Sequence, residues 1–61
     1  MTRFKELRRI EAAIEHKTQT ELQWAADYCR MRIRIAPTKR AAEHWRKLER
    51  RVISASREVK Q

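Results

Sequence analysis

Three side chains in this 61-residue sequence have pKa values or metal affinity suited to chemistry near neutral pH: His16, His44 and the single cysteine, Cys29. Their spacing matches no zinc pattern, and a zinc site normally brings four ligands together. Cys29 falls beside Ala25, Ala26 and Ile33 on an apolar helix face, where a small buried thiol is the ordinary occupant and a nucleophile is not. His16 and His44 are the residue types of a basic ribonuclease working by acid and base, but nothing fixes their geometry. Their plainer roles are a cation at the negative end of a helix dipole for His16 and a cover over the hydrophobic edge beside Trp45 for His44. With no Gly in the chain there is no phosphate-cradling loop, and no Ser, His, Asp spacing recommends a triad. The reading is of a protein that is not an enzyme and holds no metal or cofactor.

Charge carries a stronger signal. Sixteen Lys and Arg against eight Asp and Glu leave a formal charge of +8, which favours a polyanion or an acidic protein as partner. On the last helical stretch Lys39, Arg46, Arg50 and Arg57 fall in one row, and Arg40, Lys47 and Arg51 form a second beside it. Arg46 with Arg50 and Lys47 with Arg51 are like-charge pairs one turn apart, each costing an isolated helix a few tenths of a kcal/mol, which a polyanion relieves. Glu43, Glu49 and Glu58 are too few to neutralise this stretch, and Arg30 and Arg34 extend the patch from the preceding helix. The sequence has no Asn, and Gln19, Gln23 and Gln61 are its only amides. Nucleic acid, DNA or RNA, is therefore expected to be held by its phosphates, with little sequence specificity and steep salt dependence. A solvated helix face is the plainer reading of the same rows.

The elements that position these residues are all helical, because a chain with no Gly and one Pro lacks the punctuation of hairpins and sheets. Helices are expected over about residues 2–16, 21–35 and 38–60, as a three-helix bundle or a helical hairpin plus an N-terminal helix. Thr2 is the candidate cap of the first, whose stripe is Phe4, Leu7, Ile10 and Ile14. Thr18 with Glu21 fits a capping box for the second, with Thr20 as a competing cap. Pro37 ends the second helix, and Thr38 caps the third or Pro37 takes its first position. The third helix has a continuous seam of Ala41, Trp45, Leu48, Val52, Ala55 and Val59.

The second helix is two-faced. Leu22, Ala25, Ala26, Cys29, Ile33 and Ala36 make one apolar arc; Trp24, Tyr28, Met31 and Ile35 make another, centred about 140° away. The second arc is expected to be at least partly an interaction surface, since aromatic and Met side chains are enriched at such sites; a splayed three-helix core that uses both arcs is the alternative. Residues 31–35 alternate as a strand does, but no other segment offers a partner strand, and the helical reading is kept.

A three-helix chain with a long basic third helix resembles DNA-binding helix-turn-helix domains, homeodomains among them, in gross layout. The homeodomain helix has a Trp-Phe pair followed by Asn and Arg, whereas Trp45 is followed by Arg46 and Lys47 and no Asn occurs, so no residue role is carried over. A chain of this length forms one small domain that buries roughly 60% of its surface and usually needs a staple or partner. One cysteine excludes an internal disulfide. A homodimer accounts for both the spare arc of the second helix and the overhang of the longer third. No apolar run approaches the ~20 residues that span a bilayer, and the first residues lack the apolar block of a signal peptide, so the expectation is a cytoplasmic protein with no membrane partner. A small adaptor or inhibitor that docks on an acidic protein through Trp24, Tyr28, Met31 and Ile35 is the rival to the nucleic-acid reading.

Overall fold

Pro37 separates the two longer helices, and the backbone around it follows from its ring. The computed structural model describes residues 2–59 and the side chains of residues 5–59. Its helices are α1 (Thr2–His16), α2 (Gln19–Ile35) and α3 (Lys39–Glu58), with no strand among the described residues. Ala36, before the proline, is extended at φ −61° and ψ 129°, as the clash with the pyrrolidine ring requires. Thr38 is also extended, and its Oγ1 accepts the Ala41 N–H at 3.1 Å, capping α3. Residues 31–35 stay helical, so their alternation produces no strand.

The break between α1 and α2 is made without glycine. Lys17 occupies the left-handed region at φ 53°, the position where glycine is usual, while its N–H donates to the Ala13 carbonyl at 2.8 Å. Thr18 follows as the N-cap, its carbonyl accepting the Leu22 N–H at 2.8 Å. Its side chain makes no capping hydrogen bond, so the expected capping box is not formed. The physical reason is competition: Glu21 places its carboxylate on Arg9 of α1 instead of on the helix end. With Thr18 at the N-cap, helix α2 starts at Gln19, two residues ahead of the expected position. The cap role of Thr2, the Phe4 side chain and the expected helical Lys60 lie outside the described residues.

The core draws on all three helices. Ile10 and Ala13 come from α1, Leu22, Ala25 and Cys29 from α2, and Trp45, Leu48, Val52 and Ala55 from α3. Ile10, Ala25, Cys29 and Val52 have no exposed surface. Helix α3 has 20 residues and α2 has 17, so the overhang is three residues, about 4.5 Å at the helical rise. Helix α1 lies along that end: Ile14 lines a cleft with Ala55, and the Lys17 ammonium meets Glu58 at 3.2 Å. The Cα radius of gyration, 11.3 Å, is close to the roughly 10.5 Å of a compact chain of this length.

Two pairs of substitutions test this packing. Ile10→Ala removes a side chain with 0% exposure and is expected to cost about 2–5 kcal/mol, whereas Ile35→Ala, at a position 58% exposed, stays within about 0.5 kcal/mol, both read by urea denaturation. Thr38→Ala loses a hydrogen-bonded cap and costs about 1 kcal/mol, while Thr18→Ala, with no side-chain cap bond to lose, changes the thermal midpoint far less.

Candidate nucleic-acid interface

Helical geometry divides α3 into an inner and an outer side. At 100° per residue, Lys39, Arg46, Arg50 and Arg57 project opposite the seam that enters the core, and all four are exposed. Arg40, Lys47 and Arg51 lie on the flank toward α1, where a cleft is lined by Leu7 and Glu11 of α1 and by His44, Lys47 and Arg51 of α3.

Carboxylates sort these cations into two groups. Arg51 donates from both Nη atoms to Glu11, at 2.9 Å each, joining α3 to α1. Arg9 makes the equivalent bidentate pair with Glu21, at 2.7 and 3.0 Å, joining α1 to α2. Arg30 joins α2 to α3 through Glu49 at 3.0 Å and also lies 3.6 Å from Asp27. Of the nine basic residues singled out by sequence, Arg30 and Arg51 are thus engaged in holding helices together, and Arg46 has a looser contact with Glu43 at 3.7 Å. Arg34, Lys39, Arg40, Lys47, Arg50 and Arg57 are exposed and form no ion pair among the described residues. The hydrogen bonds from Arg51 and Arg9 hold the Glu11 and Glu21 carboxyls below the usual carboxylate range, and the same bonds raise the two arginines.

The aromatic arc of α2 is divided as well. Trp24 and Tyr28 are half-buried against the core and stacked with ring centroids 5.2 Å apart. Tyr28 then meets Trp45 edge-to-face at 5.8 Å, and the Arg9 guanidinium lies 3.9 Å from the Trp24 ring centroid. Met31 and Ile35, at the other end of the arc, are 36% and 58% exposed. The aromatic half therefore has partners within the chain, and the aliphatic half faces solvent.

The groups with catalytic potential are dispersed. Cys29 is buried, and burial, reinforced by the charge of Glu49, pushes its thiol up to about 11, so it is not a thiolate at neutral pH. His16 closes α1, while His44 packs its ring edge-to-face on Trp45 at 5.2 Å; no hydrogen bond or ring contact joins the two histidines. Among the described residues no three His, Cys, Asp or Glu side chains gather as a metal site needs. No helix among the described residues is long and apolar enough to cross a membrane.

Two residues of this surface are not among those singled out by sequence. Arg9 bridges α1, Glu21 and Trp24. Arg32 is half-buried, with its guanidinium 5.2 Å from the Trp45 ring centroid, and its Nε–H is shut off from solvent with no acceptor. A signal for Arg32 was available: it falls about 70° from the centre of each apolar arc of α2, on the strip between them. No protein-family model, curated protein or solved structure matches the chain.

The interhelical pairs predict an acid limb. The Glu11 and Glu21 carboxyls lie below their ordinary 4.5 in the folded chain, so their stabilisation is complete above that value and is lost as pH falls through the lower folded values. Thermal midpoints followed by circular dichroism are expected to drop below about pH 4.5. Glu11→Gln flattens that drop and lowers stability at pH 7 by no more than about 1 kcal/mol, the range of an exposed pair.

Proposed function

We propose that the chain is a non-enzymatic nucleic-acid-binding module whose α3 surface grips phosphates with little regard for base sequence. The observation that supports this is the sorting of charge: Arg9, Arg30 and Arg51 end on carboxylates of neighbouring helices, while Lys39, Lys47, Arg50 and Arg57 project from α3 with no ion pair among the described residues. Cations held at one face of a rigid helix, unneutralised, attract a polyanion and gain from counterion release when it binds. Arg40 and Arg46 belong to the same surface, and Arg34 extends it from α2. Arg30 and Arg51 are assigned to the fold, and their contribution to binding is indirect.

Met31 and Ile35 support a second reading, an acidic protein docked on an apolar pair beside Arg34, with Trp24 and Tyr28 behind it. Ile35→Ala discriminates the two: it weakens such a protein complex and leaves nucleic-acid affinity unchanged. Self-association was expected from two spare apolar surfaces. Helix α1 lies along one and the Trp24–Tyr28–Trp45 contacts use the aromatic half of the other, so the homodimer stays in the proposal only through the exposed half of that arc, Met31 and Ile35.

Mobility-shift titrations with duplex DNA and with RNA at two salt concentrations test the proposal. Binding is expected to weaken steeply with salt. Arg50→Ala and Arg57→Ala should each reduce the salt slope by roughly 1 and weaken all sequences alike. Arg51→Ala should act mainly on thermal stability. Absence of any retained complex at low salt overturns the reading.

A further inference from the structure

Arg32 is the exception to the rule that arginines between helices end on carboxylates. Arg9, Arg30 and Arg51 each have one; Arg32 is half-buried over Trp45 and has none among the described residues. Only its Nε–H is shut off from water without an acceptor, and among the described residues no carboxylate neutralises the group, so an anion that meets the guanidinium at the cavity gains a charge-assisted pair that the chain itself does not supply.

The surroundings fit such an anion. Arg32 lines a cavity of about 450 Å³ at the corner where α2 ends and α3 begins, within the size range of small-molecule sites. Thr38, the cap of α3, and Arg40 and His44 on its first turns are in the wall, and no described acidic residue is. The remaining wall is apolar, from Leu7, Pro37, Ala41 and Trp45. Charge and shape thus ask for two things in one ligand: an oxyanion for the two arginines and a flat or apolar body for the rest. A phosphodiester inside a strand brings a single charge, whereas a phosphate monoester carries nearly two at neutral pH and three outward oxygens that suit guanidinium forks.

We infer that this cavity binds a phosphate monoester carried on a nucleoside, either the phosphorylated end of a nucleic-acid strand or a free nucleotide. The strand source rests on the phosphate-binding reading of α3, and the geometry links them. The cavity shares Leu7 and His44 with the cleft that Lys47 lines, so a strand that the exposed α3 cations hold as far as Lys47 reaches the cavity with its end. Glu11, held by Arg51, closes the far end of that track.

The test uses the full chain and four probes: a short oligonucleotide with hydroxyl ends, the same strand with a 5′-phosphate, the same with a 3′-phosphate, and adenosine monophosphate, each followed by calorimetric titration. A terminal phosphate at one end is expected to raise strand affinity about 10-fold over the hydroxyl strand. Arg32→Gln should bring that ratio to about one, and Arg40→Gln, at an exposed position that leaves the core untouched, should reduce it even if Arg32→Gln does not fold. Equal affinity for all three strands overturns the inference, as does a ratio unchanged in Arg40→Gln. Binding of adenosine monophosphate without binding of the hydroxyl strand supports the cavity and overturns the α3 reading; binding of the hydroxyl strand with no gain from either phosphate does the reverse.

Discussion

Arg9, Ile10 and Glu11 are consecutive in α1, and the remaining structure depends on how they diverge. Each residue turns about 100° from the last, so Arg9 and Glu11 leave on opposite sides of Ile10. Ile10 enters the core with no exposed surface, Arg9 reaches Glu21 of α2, and Glu11 reaches Arg51 of α3. One turn of helix thus closes the groove of the α2–α3 hairpin by an apolar plug with an ion pair to each wall. The apolar contact supplies most of the holding energy, because exposed ion pairs are weak; the pairs fix rotation and register.

That placement propagates through the aromatic side chains. Seating Ile10 brings Arg9 over Trp24, Trp24 stacks on Tyr28, and Tyr28 meets the edge of Trp45, itself nearly buried in the core. A helix with apolar arcs about 140° apart can therefore be satisfied on both near its N-terminal half, since its aromatic rings are long enough to reach around the helix toward α1 and α3. Met31 and Ile35 lack that reach and stay exposed.

The same placement decides the surface electrostatics. Glu11, Glu21, Glu49 and Glu58 all pair with cations on another segment, leaving the outer side of α3 with little local neutralisation beyond Glu43. The unpaired cations of α3 thus stand on its outer side and its α1-facing flank, and among the described residues the one interhelical arginine left without a carboxylate lines the cavity at the start of that helix. Much of this was legible locally: the seam of α3 and both basic rows follow from 3.6-residue periodicity, and its threonine cap from Thr38 standing just after the Pro37 break. Which cations are free was not, because an arginine's partner is forty residues away for Arg51 and twelve for Arg9. The capping box failed for a related reason. Thr18 and Glu21 have the right local spacing, but the glutamate's choice between the helix end and Arg9 depends on where α1 lies.

By itself the sequence determined the helical class, the Pro37 break, the buried stripe of α3 and the sign and density of its outer charge, all of which depend on neighbours within one or two turns. Tertiary structure alone decided that Arg30 and Arg51 pair with carboxylates on neighbouring helices, that Trp24 and Tyr28 pack inward while Met31 and Ile35 do not, and that Arg32 lines a cavity with Arg40 and His44. Those outcomes turn on long side chains, whose reach allows several partners, and only the seating of α1 selects among them.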